Sequence, residues 1–296
     1  MAGRTARTFG RFLPALLALT LVSAGWSAEE AAKPKKKLLY FTKSSGFQHS
    51  VVARKDGQPA YSEKILVELG KKNGYEIVAS KDGSLLNPDK IGQWDGFIFY
   101  ATGDLTKPAA PNTGDTDPPM TTEGKQALLD AIAAGKGFVG VHAANDAFRL
   151  GGVDPFIRML GGEFLAHGAQ QMSWSRIVDK KFPGCEGLDD FQWNEEWYAP
   201  RNVAADLHVI ILQDTKGMEG PMYQRPAYPG TWARTQGKGR VYYTSLGHRE
   251  DVWDKPIFQQ ILLGGIKWAV GDAQAEVPVN LKEAAPQPAE LMAPEK

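Results

Sequence analysis

Gly137-Phe138-Val139-Gly140-Val141-His142 is the stretch from which the chain is best read. Five uncharged residues in a row, with glycine at two positions that let helices approach closely, predict a strand buried on both faces of a parallel sheet. A histidine follows directly. In an open parallel sheet, ligands bind beyond the carboxyl ends of the strands, so the residues after each predicted strand are the ones to weigh for chemistry.

Working outward from that strand, Leu38-Leu39-Tyr40-Phe41, Tyr75-Glu76-Ile77-Val78 and Gly96-Phe97-Ile98-Phe99-Tyr100 are further short strands. Between the first two, Tyr61 to Lys72 carries Ile65, Leu66 and Leu69 at helical spacing and stops at Gly74. A second helix starts at Thr121-Thr122-Glu123, with Ala127, Leu128, Leu129, Ile132 and Ala133 as its apolar face. The order strand, helix, strand, strand, helix, strand predicts an α/β fold, a doubly wound, mostly parallel sheet covered on both faces. Downstream, Met172–Val178 and Leu207–Leu212 read as strands of a more irregular, antiparallel insertion. Gly239–Thr244 returns to the core sheet, and Pro256–Val270 is the last helix.

The two ends read differently. Arg4, Arg7 and Arg11 precede the apolar run Leu13–Leu21 and the small residues Val22-Ser23-Ala24, the pattern of a cleaved signal peptide over residues 1–24. Export to the periplasm or the cell exterior follows, with no stable membrane insertion once the leader is gone. Residues 25–36 form a basic lead-in, 37–271 the α/β domain, and 272–296 an Ala-, Pro- and Glu-rich flexible tail. Without the three leader arginines the net charge is about −3, which argues against a nucleic-acid partner. Cys185 is the only cysteine, so no disulfide forms within the chain and a catalytic thiol in its Pro183-Gly184 turn is disfavoured.

Polar residues gather after the predicted strands: Thr42 to Ser50 after the first, Thr102-Gly103-Asp104 after the third, His142 to Asp146 after the fourth, and Ser245 to Glu250 after the last. His49, His142 and His248 fall in these segments. His167 lies in a Gly161-Gly162 motif, and His208, inside a predicted strand, reads as structural. Imidazoles at strand ends suit metal ligation or proton transfer, which makes His49, His142, His167 and His248 candidate ligands for a divalent metal. Trp193-Asn194-Glu195-Glu196-Trp197-Tyr198 adds carboxylates framed by aromatics, a combination suited to a sugar ring or, as the bland alternative, to a half-buried edge strand. No GxxxxGK[ST], GxGxxG or HExxH pattern occurs in the required context, so a nucleotide cofactor and a zincin helix are both disfavoured.

Together, Gly46-Phe47-Gln48-His49-Ser50, Gly137 to His142, Gly161 to Gly168, Glu195-Glu196-Trp197-Tyr198 and Gly237 to His248 resemble the ThuA-like, or trehalose-utilisation, family from about Lys37 to Gly271. The resemblance implies a flavodoxin-like sheet shared with class I glutamine amidotransferases. Their cysteine elbow corresponds to Gly140-Val141-His142-Ala143-Ala144, which has no thiol, so amidotransferase activity is not expected. It also implies sugar chemistry: hydrolysis or elimination across the glycosidic bond of a trehalose-like or 3-keto glycoside, alongside a sugar dehydrogenase in the same pathway. On that reading His142, Glu196, His248 and Asp146 are the catalytic candidates, and His49, Ser44, Asp104, Trp197 and Tyr198 bind a small saccharide. Where many relatives have Asp-Glu-Trp-Tyr this chain has Glu195 first, which leaves the role of that acid open. Two other readings share these residues: a non-catalytic sugar-binding module using Trp193, Trp197 and Tyr198, and an interaction protein of the cell envelope.

Overall fold

The computed structural model describes residues 1–3, 36–287 and 291–293; all but the first three residues of the expected signal peptide and nearly all of the basic lead-in lie outside the described residues. The chain divides after Pro34 into two units, and residues 36–287 and 291–293 belong to the second. Five parallel strands form its centre: β1 (Lys36–Phe41), β2 (Tyr75–Ser80), β3 (Gly96–Phe99), β4 (Gly137–Val141) and the last strand of the chain, β11 (Gly239–Thr244). They lie in the order β2-β1-β3-β4-β11. This is the flavodoxin-like arrangement, whose ligand crevice sits beyond the carboxyl ends.

Alternating side chains explain why both faces are covered. Leu38, Tyr40, Val139, Val141 and Tyr242 point into one core with helix α1 (Tyr61–Lys72), the short helix α4 (Glu250–Trp253) and helix α5 (Pro256–Ala269). Leu39, Phe41, Phe138, Val241 and Tyr243 point into the other, with helix α2 (Thr122–Ala133) and helix α3 (Pro155–Leu160). The glycines of β4 act as the sequence suggests. A Cβ on Gly137 would stand 2.5 Å from the Ala269 carbonyl at the end of α5, and one on Gly140 would stand 2.9 Å from Leu160 of α3.

Beyond β11 the sheet turns antiparallel through β10 (Tyr228–Gln236), β9 (His208–Gln213), β6 (Gln171–Ile177) and β7 (Phe191–Glu195), giving nine strands among the described residues. β5 (Glu163–His167) and β8 (Tyr198–Arg201) form a separate antiparallel pair. The stretch Trp193–Tyr198, for which a half-buried edge strand is one of the two readings in sequence, belongs to two strands, broken at the Glu196-Trp197 corner. Trp197 is buried and donates its indole N–H to the Gln171 carbonyl at 2.7 Å, which pins that corner.

The stretch after Gly271 is not the flexible tail its composition suggests. Asn280 brackets Val209 of β9 with two side-chain hydrogen bonds (2.6 and 3.1 Å), and helix α6 (Leu281–Ala284) buries Leu281, with Ala285 buried beside it. Further on, Leu291 bridges to Val203 and the carbonyl of Ala293 accepts from Arg158. The composition looked polar, yet a few well-spaced apolar residues suffice to dock it. No helix among the described residues is long and apolar enough to cross a membrane.

Candidate metal centre and cleft

Three histidines come from carboxyl ends of the parallel strands: His49 from the loop after β1, His142 from the residue after β4, and His248 from the loop after β11. Glu196, from the corner between β7 and β8, meets them. One ligand atom from each of these four residues lies within 4.8 Å of the other three.

His142 sits on a tight corner. Its φ is +43°, a left-handed conformation that a non-glycine residue adopts at a cost and that surrounding structure must hold. Its carbonyl accepts from the Tyr243 hydroxyl at 2.8 Å, and the chain turns at once into a 3-10 turn, His142–Asp146. The strand thus ends in a sharp corner that presents an imidazole. The ring is fully buried, and its Nδ1 lies 2.7 Å from the Ser245 carbonyl, which can only accept. Nδ1 therefore carries the proton, and Nε2 presents a bare lone pair. Burial, outweighing the pull of Glu196, lowers the His142 pKa to about 3, so the ring is neutral at pH 7.

That lone pair faces the Glu196 carboxylate and the His248 ring. Nε2 of His142 is 3.4 Å from the Glu196 carboxylate, 3.3 Å from Nδ1 of His248, and the same carboxylate oxygen is 3.0 Å from His248 and 3.8 Å from Nε2 of His49. Burial works to raise the Glu196 pKa, but the imidazoles of His142, His248 and His49 beside it pull it far below the carboxylate range. Burial lowers the pKa of His49 also. Ligands about 2.1 Å from a tetrahedral ion stand about 3.4 Å apart; four of the six separations, 3.0–3.8 Å, lie near that value, and all six fall within 4.8 Å. The three rings stand 5.1–5.2 Å apart, two of the three pairs near-perpendicular, around one point. A ring of electron pairs with too few protons to bridge them fits a divalent cation.

Neighbours set the remaining tautomers. Oε1 of Gln170 accepts from Arg249 at 2.6 Å, so its amide N–H donates to Nε2 of His248 at 2.9 Å and the His248 proton rests on Nδ1. Gln170 is exposed, and turning its amide over moves that proton to Nε2 and opens Nδ1 to a ligand role. Glu195 is fully buried and is not one of the four converging groups. Its oxygens accept from the backbone N–H of Glu196 (2.9 Å) and of Gly247 (3.4 Å), tying two ligand-bearing corners together. Burial pushes its pKa up to about 8. The open question of this acid's role is answered by geometry: it braces the corners.

A cleft of about 520 Å³ opens over the cluster, lined by Phe47, His49, Asp146, Arg149, Phe164, His167, Glu196 and Tyr198 with Gly46 and Gly103. The two glycines touch, and a Cβ on Gly103 (φ +76°) would stand 2.4 Å from the Gly46 nitrogen. Phe47 projects from this pinned turn, two-thirds exposed. Asp146 pairs with Arg149 at 3.1 Å, and burial, working against that arginine, raises its pKa to about 6. Arg149 itself lies 5.0 Å over the Phe164 ring.

Of the residues singled out in the sequence, His49, His142, Glu196 and His248 converge, and Asp146, Tyr198 and His167 stand around them. His167 lies at the exposed rim, 3.3 Å from the second Glu196 oxygen, outside the four-atom cluster. Three others are corrected. Ser44 is buried in the core away from the cleft, Asp104 folds back onto Thr106 (3.0 and 2.7 Å), and Trp197 packs in the core. Each follows a strand closely enough for its position to look suitable, but its side chain points elsewhere. His208 is structural as expected, held by Asp179 and the Pro278 carbonyl. Arg149, Phe47 and Phe164 line the cleft without having been singled out, although Phe47 and Phe164 belong to the motifs already quoted.

A flavodoxin-like α/β protein with a His3Glu candidate metal site is the class that fold and cluster define. The pattern of the ThuA family, described as trehalose utilisation, matches residues 37–269. The chain belongs to the ThuA family. Among solved structures it is similar to a ThuA-like protein from Parabacteroides merdae, at 19% identity with TM-score 0.61, covering 84% of this chain and 95% of that one. A ThuA-like protein from Bacteroides uniformis is similar at 18% identity and TM-score 0.60, covering 86% and 99%. A cytoplasmic protein from Salmonella typhimurium is similar at 10% identity and TM-score 0.52, covering 79% and 98%. At such identities the likeness concerns the fold. No curated protein matches the chain.

Proposed function

We propose that this protein is an exported, divalent-metal-dependent enzyme that cleaves the glycosidic bond of a trehalose-like or 3-keto glycoside. The observation that carries the reading is the convergence of His49, His142, His248 and Glu196, of which His49 and Glu196 line the cleft. Those four residues would hold the cation, which supplies Lewis acidity toward a carbonyl oxygen and its neighbouring hydroxyl. His142, Glu196 and His248, candidates for acid and base roles in the sequence, are spent as ligands on this reading.

Proton transfer falls to Asp146. Its carboxyl lines the cleft, is held by Arg149, and has a pKa raised to about 6, near the value that suits a group that must both take and give a proton. A ketone at C3 acidifies the proton at C2. Asp146 takes that proton, the C2–H electron pair forms the C1–C2 double bond, and the C1–O bond breaks with its electrons on the departing oxygen, which then receives a proton. Addition of water to the double bond completes hydrolysis; release without it is a lyase reaction. Phe47 and Phe164 offer apolar surface to the ring faces of the sugar. A dehydrogenase that oxidises the sugar at C3 would supply the substrate, and the leader sequence supports export.

The binding-module reading is less well supported, because two of the three aromatics it relies on, Trp193 and Trp197, are buried away from the cleft and Tyr198 alone lines it. The test is to incubate the mature protein with 3-keto-trehalose and with plain trehalose, before and after chelator treatment. Sugar release that chelator abolishes and added cation restores is expected. No release from either substrate with cation present would overturn the catalytic reading.

A further inference from the structure

Among the side chains of the cleft, Tyr198 shares an atom with the ligand cluster. Its hydroxyl has one hydrogen-bond partner, Nε2 of His49 at 3.1 Å. An unprotonated imidazole nitrogen has a single in-plane lone pair. Nε2 of His49 is also one of the four atoms that converge on the cation position. Phenol and cation therefore compete for one lone pair.

The ring of Tyr198 cannot simply move aside. It packs against His142 (4.0 Å between centroids) and Phe164 (4.2 Å), and its backbone pairs with His167 in the β5–β8 ribbon. Only the hydroxyl hydrogen is free to turn, and the cleft is the open side. Nδ1 of His49 is buried without a partner. When the phenol donates to Nε2, the ring proton is on Nδ1, which is the tautomer that ligates a cation through Nε2. The cation-free site is thus already in the ligating form, with the phenol standing in for the ion.

We infer that Tyr198 is a catalytic hydrogen-bond donor to a substrate oxygen and that cation loading is what releases it. Without the ion the O–H is tied to His49; with the Nε2 lone pair occupied, the donor loses its one hydrogen-bond partner among the described residues and faces the cleft. The site thereby arms its donor only when it is loaded. This rests on the cation-binding reading given above.

The test uses Tyr198→Phe, which keeps the ring packing, and compares it with the parent after both are stripped of metal and titrated with Zn²⁺ against a chromophoric chelator. The variant is expected to bind Zn²⁺ about 2- to 10-fold more tightly, because the ion no longer displaces a hydrogen bond. Its kcat on 3-keto-trehalose is expected to fall about 10²-fold. Unchanged affinity would mean that phenol and ion do not compete, and weaker affinity would make the phenol itself a ligand; either overturns the inference while leaving the metal site intact. A parent that binds no Zn²⁺ would overturn the underlying reading instead.

Discussion

His142 and Asp146 occupy the same 3-10 turn and have opposite electrostatic fates. His142 has its proton fixed on Nδ1 by the Ser245 carbonyl and is kept neutral by burial. Asp146 is driven by burial toward its protonated form, with its pKa raised to about 6. The folded protein therefore holds a proton on Asp146 that the unfolded chain has lost above about pH 4. This stabilising proton is fully present below pH 4 and is lost as pH rises toward 6, so stability from this group falls across that window. Asp146→Asn should be more stable than the parent at pH 7, by on the order of 1–3 kcal/mol, and the difference should close below about pH 4. Urea unfolding at pH 3.5, 5 and 7 measures this; a pH-independent difference would contradict the raised pKa. The same variant should lose most activity, since the group that carries the proton is gone.

At this scale the histidines were the legible part. A histidine after a strand announces itself by position, and the three that follow strands, His49, His142 and His248, converge, whereas His167 does not join them. The acids were harder to read. Glu195 and Glu196 are adjacent on the chain, yet one joins the cluster and the other braces backbone N–H groups, a choice set by the corner between β7 and β8. Ser44 and Asp104 show the opposite error: the correct edge of the sheet, with side chains turned into the core or back on their own turn.

Elements built on strong local patterns matched their expected limits. Gly137–Val141, Tyr61–Lys72 and Gly239–Thr244 are read with the same boundaries in sequence and structure. β10 escaped because Pro229 and Gly230 interrupt its pattern, and register shifts occur at that place in its pairing with β9. The segment after Gly271 escaped because its contacts depend on β9, a partner remote in sequence. Removing residues 272–296 should destabilise the domain by about 2–4 kcal/mol, from the lost burial of Leu281 and Ala285 and the lost Asn280 clamp on β9. Chemical denaturation of the shortened chain measures this, and an unchanged midpoint would show that the segment does not hold the fold.

Across the whole molecule, the parallel half and the antiparallel half each bring part of the site. The flavodoxin-like strands deliver His49, His142 and His248 to one edge, as the sequence pattern foretold. The antiparallel extension, whose pairing was only partly legible, swings Glu196 over them. Neither half has a complete ligand set. The function of the site therefore depends on whether a cation occupies the point where these halves meet.

Metal analysis of the purified protein beside His142→Ala, both checked for folding by circular dichroism, tests this most directly. About one equivalent of a divalent transition metal in the parent and none in the variant is the predicted result. A folded parent that neither carries nor takes up such a metal, or a variant that holds as much as the parent, would contradict it.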